Sequence, residues 1–90
     1  MAFEWDENKN AINQAKHGIS FQEAQQLWDD AGLIVLPSRF PDEDRFLAIG
    51  AIDSKHWTAI FTERGEDIRI ISVRRARQNE RDLYEQHQPR

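Results

Sequence analysis

The 90-residue sequence predicts an α+β layer fold: two N-terminal helices, a four-stranded antiparallel sheet and a C-terminal helix. Three observations predict it. Apolar residues recur at helical spacing in the first third of the chain, change to a period of two between residues 33 and 73, and return to helical spacing after Arg74. The links between the period-two runs are short, which forces successive strands to run antiparallel. A chain of this length makes one domain, 1–90, without room for a second core.

Asp6 opens the first helix, with Glu7 well placed in its first turn, and Gly18 closes it. Ile12, Ala15 and Ile19 give it a narrow apolar stripe beside a face rich in Asn and Gln. "SFQE" reads as a capping box, Ser20 with Glu23, so a second helix buries Phe21, Ala24, Leu27 and Trp28 until "DDAG" stops it. "LIVLP" (33–37) is a strand that Pro37 ends, and "SRFPDED" is a polar loop. "RFLAIGAI" (45–52), "HWTAIFT" (56–62) and "DIRIISV" (67–73) complete a meander through "DSK" and "ERGE". Val73, Ala76, Glu80, Leu83 and Tyr84 mark the last helix. The helices are expected on one face of the sheet, leaving the other available.

Composition excludes several kinds of function. There is no cysteine, hence no disulfide and no thiol chemistry. His17, His56 and His87 show no metal-ligand spacing, the four glycines are isolated rather than gathered in a phosphate loop, and no nucleophile elbow surrounds a serine. No metal and no cofactor are therefore expected. The start "MAFEWDENKN" lacks a signal-peptide pattern and no apolar run approaches membrane-spanning length, so a soluble cytoplasmic domain is expected.

The formal charge of −4 is unevenly spread. Residues 1–54 carry four basic and ten acidic side chains, residues 55–90 eight basic and six acidic. Five arginines (Arg69, Arg74, Arg75, Arg77, Arg81) fall within 69–81 beside the single Glu80. A phosphate contact depends on the local field within a Debye length of about 8 Å rather than on the total.

Arg, Lys, His and Tyr suit RNA cleavage without a metal. That reaction needs a base for the 2′-hydroxyl, cations for the phosphorane and a proton for the leaving oxygen. Arg74 and Arg75 stand where the last strand meets the last helix, and alternation sends only one of them to any shared site. Their structural alternative is pairing with Glu80, Asp82 or Glu85. Glu80 lies on the apolar stripe of the last helix, where an ion pair with an arginine of the sheet would keep it and orient that arginine. Lys16 and His17 fit a helix end as well as a proton-transfer role, and Tyr84 fits the core as well as a stacking or acid role. Arg64 sits at a hairpin tip, at the far end of its strand from Arg74. The nuclease reading requires the guanidinium groups near the end of the sheet to converge.

"FEWDENKNAINQAKHGISFQEA", "RFLAIG" and "TERGEDIRIISVRRARQNERDLYE" together resemble the BrnT toxins of bacterial type II toxin–antitoxin pairs, over nearly the whole chain. The resemblance implies a RelE-like fold of the RelE/ParE superfamily. It also implies a ribonuclease that arrests translation and a BrnA-like antitoxin, expected as a 2:2 assembly, through which alone operator DNA is bound. Lys16, His17, Arg64, Arg69, Ser72, Arg74, Glu80, Arg81 and Tyr84 match the family pattern; joined with Arg75 and Arg77 from the arginine cluster, they give Lys16, His17, Arg74, Arg75 and Tyr84 as candidates for catalysis, Arg64, Arg69, Arg77 and Arg81 for RNA binding, and Glu80 and Ser72 for orientation. The sequence departs from many such toxins in charge, with a pI near 5.3. The alternative reading is a non-catalytic toxin that, like ParE relatives, acts by binding a protein target.

Overall fold

Asp6 and Gly18 bound helix α1 (Glu7–His17). The Asp6 side chain accepts from the Asn8 and Lys9 N–H groups, and Gly18 closes the helix in the left-handed conformation at φ 75°. The computed structural model describes residues 1–38 and 44–88. Most of the expected polar loop, with Arg39, and the last two residues lie outside that range.

Helix α1 buries the side that its composition assigns to solvent. Ile12 is 64 % exposed, whereas Asn10 and Asn13 are 7 % and 6 % exposed. The reason is hydrogen bonding. Asn10 Oδ1 accepts from Phe21 N–H at 2.8 Å, and its Nδ2 donates to Gln22 Oε1 at 3.1 Å. Asn13 Nδ2 donates to the Ile19 carbonyl, and its Oδ1 accepts from Val73 N–H, both at 3.0 Å. The two amides tie α1 to the start of the next helix and to the last strand, where apolar side chains could not.

The second helix is a correction. Ser20 and Glu23 do form the reciprocal capping box, but helix α2 is a single turn, Phe21–Ala24. The chain then tightens into a 3₁₀ segment, Gln25–Asp29. Phe21, Ala24 and Leu27 are all fully buried. Their spacing of three is the repeat that a 3₁₀ coil aligns and an α-helix does not.

The sheet is also a correction. It has five strands and is mixed rather than antiparallel, in the order β1-β5-β4-β3-β2. Strands β2 (Ile34–Pro37), β3 (Arg45–Ile52), β4 (Lys55–Arg64) and β5 (Asp67–Arg75) form the expected meander. The added strand, β1 (Phe3–Glu4), pairs parallel with β5 through Phe3–Ile68 and Glu4–Arg69. A two-residue strand is too short to show a period, so the sequence carries no sign of it.

One further irregularity matters for function. Between β4 and β5 the register shifts: Phe61 faces Ile70, but Ile60 faces Ser72, so Ile71 is an extra residue on β5. Such a bulge reverses which side chains of the following segment point to each face. After it, Val73 joins the core and Arg74 faces the opposite side.

Helices α1 and α2 and the 3₁₀ segment cover one face, where Phe21, Ala24 and Leu27 pack on Ala48, Trp57, Ala59, Phe61, Ile70 and Val73. Helix α3 (Gln78–Gln86) crosses the other face, with Ala76 and Tyr84 against Ile49. The helices therefore do not share one face. Among the described residues, none covers the part of the second face beside α3, toward β2. No helix among the described residues is long and apolar enough to cross a membrane.

Removing the Asn13 amide would leave two buried backbone groups unpaired, at about 1–3 kcal/mol each. Asn13→Ala should lower stability by about 2–4 kcal/mol in urea titrations, while Ile12→Ala should change it by less than about 0.5 kcal/mol.

Candidate functional site

The open part of the second face is a cleft of ≈ 590 Å³ between β2 and the N-terminal turn of α3. Leu36, Leu47, Ile60, Ile71 and Leu83 line its floor and sides, and Arg45, Arg74, Arg77, Ser72, Asn79 and Glu80 supply its polar groups. The bulge gives β5 its share: Ser72 and Arg74 stand opposite Ile60 and Thr58.

Glu80 holds the cleft's polar wall together. It is 5 % exposed. Arg74 Nη1 and Nη2 donate to its two oxygens at 2.7 and 2.8 Å. Thr58 Oγ1 donates to Oε1 at 3.0 Å, and Arg77 N–H donates to the same oxygen at 2.8 Å. The Arg77 contact closes the first turn of α3, so one carboxylate joins β4, β5 and α3. Burial alone would raise its pKa; the Arg74, Arg77 and Thr58 donors outweigh burial and hold it at about 2. Arg74 is shifted upward, first through its hydrogen bonds to Glu80, and stays charged. It spends one more contact on the Arg75 carbonyl at 3.3 Å.

The arginines nominated from the sequence do not all converge. Arg74 and Arg77 reach the cleft. Arg75 lies on the opposite face, its guanidinium 5.3 Å from the Trp57 ring centre and its Nε donating to the His56 carbonyl. Arg69 pairs with Glu4 at 3.2 Å, and Arg64 reaches the same carboxylate only at 4.0 Å. Arg81 donates to Gln78 Oε1 on its own helix.

The proton-transfer candidates are separate as well. Tyr84 is 8 % exposed, and its hydroxyl donates to Asp30 Oδ2 at 2.8 Å. Burial and then Asp30 push its pKa up to about 12, away from acid–base work at neutral pH. Asp30 in turn accepts from Gly32 and Ala51 N–H, so this group anchors α3 to the end of β3. Lys16 and His17 sit at the C-terminal end of α1, and neither lines the cleft. Sequence reasoning missed Arg45 and Thr58. Alternation could have found both, since Arg45, Leu47 and Ile49 share one face of β3, opposite Thr62, Ile60 and Thr58 of β4.

Among the described residues, no group of three or more His, Cys, Asp or Glu is arranged to hold a metal ion. What the cleft can do chemically is hold an anion. Guanidinium groups of Arg74 and Arg77, a serine hydroxyl and an asparagine amide surround a pocket open to solvent.

Glu80 ionises at about 2 in the folded chain instead of its ordinary 4.5. Its contribution to stability is complete above its unfolded pKa and is lost as pH falls through the folded one. Acid titration of unfolding should show this loss between about pH 5 and pH 2, and Glu80→Gln should flatten that limb while lowering stability at neutral pH.

The chain was compared with known proteins. A family model described as "Ribonuclease toxin, BrnT, of type II toxin-antitoxin system" matches residues 5–80. No curated protein matches.

Proposed function

Because the chain belongs to the BrnT family, the ribonuclease toxins of type II toxin–antitoxin systems, we propose that the cleft beside α3 is where it cleaves RNA, without a metal, to arrest translation. The observation that carries this reading is the Arg74–Glu80–Arg77 wall, which lines a cleft open to solvent. The scissile phosphate sits against Arg77 and the remaining donors of Arg74, with Arg45 across the cleft. Arg74 stabilises the charge that grows on the phosphorane, and Glu80 acts as its positioning residue, holding the guanidinium plane fixed before the substrate arrives. Ser72 donates to a phosphate oxygen. The 2′-oxygen attacks phosphorus and the 5′-oxygen departs, leaving a 2′,3′-cyclic phosphate and a 5′-hydroxyl.

Among the described residues that line the cleft there is no His, Lys or Tyr, and Glu80 is held at about 2. Hydroxide from solvent therefore takes the 2′-hydroxyl proton, and water returns one to the leaving oxygen. The partner of the toxin is a BrnA-like antitoxin, which contacts operator DNA on behalf of the pair.

Purified protein incubated with RNA in EDTA should release cyclic phosphate ends. Arg77→Ala should lower that rate by at least about tenfold, the scale of one charge-assisted phosphate contact, with an unchanged urea midpoint. Arg75→Ala, on the far face, should leave the rate unaltered. Intact RNA alongside growth arrest would instead establish a toxin that binds a protein target.

The proton-transfer step has its own check. Without a titrating base the rate should climb about tenfold per pH unit from pH 6 to pH 8. A large loss of rate in His17→Ala, with an unchanged urea midpoint, would return the base role to His17.

A further inference from the structure

An arginine presents its N–H donors along two edges of one rigid plane. In Arg74 the edge formed by Nη1 and Nη2 is taken by Glu80, at 2.7 and 2.8 Å, and the second hydrogen of Nη1 reaches the Arg75 carbonyl at 3.3 Å. What remains is the adjacent edge, where Nε–H and the other Nη2–H point in parallel. Among the described residues no acceptor meets Nε. Two parallel donors on a fixed plane are what paired recognition of a phosphate requires. The direction of that edge is set by how the Glu80 carboxylate is held.

The carboxylate is held asymmetrically. Oε2 accepts from Arg74 alone, whereas Oε1 also accepts from Arg77 N–H at 2.8 Å and from Thr58 Oγ1 at 3.0 Å. Arg74, Arg77 and Glu80 all belong to the junction of β5 with α3. Thr58 does not. It is fully buried on β4, which has a strand on each side, and it stands directly opposite Arg74. Among the described residues, its hydroxyl is the one group outside the junction that reaches the Glu80 carboxylate. Nothing in the packing requires that hydroxyl. Valine would keep the branched shape beside Ile49 on the neighbouring strand and bring no polar group to satisfy.

We propose that Thr58 is a positioning residue for RNA cleavage: its hydroxyl fixes the rotation of the Glu80 carboxylate and so aims the Nε–Nη2 edge of Arg74 at the phosphate. The assignment rests on the reading that Arg74 stabilises the phosphorane in this cleft. Thr58 itself has no exposed surface and does not touch RNA. Charge on the phosphate oxygens grows on the way to the transition state, so a misaligned edge slows turnover more than it weakens binding.

The test measures kcat and KM in EDTA on a single-stranded oligoribonucleotide that spans a site cut by the parent protein, with the urea midpoint as the control for folding. Thr58→Val should lower kcat by about tenfold and leave KM within about twofold. Thr58→Ser, which keeps the hydroxyl and loses the methyl, should stay within about twofold of the parent on both. A role in packing alone predicts the reverse order, because valine keeps the buried volume and serine does not. Arg74→Lys supplies the second arm. It keeps a charge beside Glu80 but has no paired edge, and it should cleave at least about tenfold more slowly than the parent. In that background Thr58→Val should change kcat by less than about twofold, since the hydroxyl acts only through the guanidinium. Should Thr58→Val fail to fold, Thr58→Ala carries both arms in its place. Parental kcat in the folded hydroxyl-free variant overturns the proposal, as does an equal loss in Thr58→Ser or an undiminished loss in the Arg74→Lys background. Parental cleavage by Arg74→Lys removes the reading that Arg74 stabilises the phosphorane, and the positioning role with it. A slow Arg74→Lys beside a parental Thr58→Val leaves that reading standing and removes the positioning role alone.

Discussion

A carboxylate that is almost wholly out of water governs the geometry of this molecule. Glu80 would be costly in that position if unpaired, and four donors from three segments make it tenable: two from Arg74, one from Thr58 and one from the Arg77 backbone. Its satisfaction fixes the angle at which α3 leaves β5, and that angle decides how much of the second face stays uncovered. Taking away one member of such a group costs more than replacing all of them with apolar side chains. The arrangement thus contributes definition more than net stability. Tyr84 and Asp30 secure the other end of the same helix to β3.

The acidic total and the cationic cleft are compatible because the charges are segregated by the fold. Glu4 neutralises Arg69 at the β1–β5 edge, and Arg75 is turned onto Trp57 on the opposite side of the sheet. Among the described residues, the guanidinium groups of Arg45, Arg74 and Arg77 gather at the cleft, where Glu80 pairs with Arg74, and charges of this kind have a short reach in physiological salt. So small a group of cations contributes little long-range attraction to nucleic acid.

Much of this was legible in the sequence where local chemistry acts alone. Asp6 and Gly18 bound α1, Ser20 and Glu23 form their box, and the meander follows its alternating residues. An ion pair between Glu80 and an arginine of the sheet was foreseeable because a carboxylate on an apolar stripe needs a cation. What escaped reading depends on contacts distant in sequence. Asn13 looks like a surface residue until Val73, sixty residues away, is found to need an acceptor. Strand β1 exists only because β5 offers it an edge. The spread of the arginines over two faces and several partners follows from pairing that the clustered sequence conceals.

The extra residue at Ile71 has a consequence for reading relatives of this protein. Strand β5 runs in one phase before it and in the other after it, so the orientation of the Arg-Arg pair is set by a count of residues rather than by their identity. A homologue with the same pair but one residue fewer in the preceding stretch would turn its second guanidinium, not its first, toward α3. Alignment columns that match arginine to arginine across such a gap would equate side chains on opposite sides of the sheet.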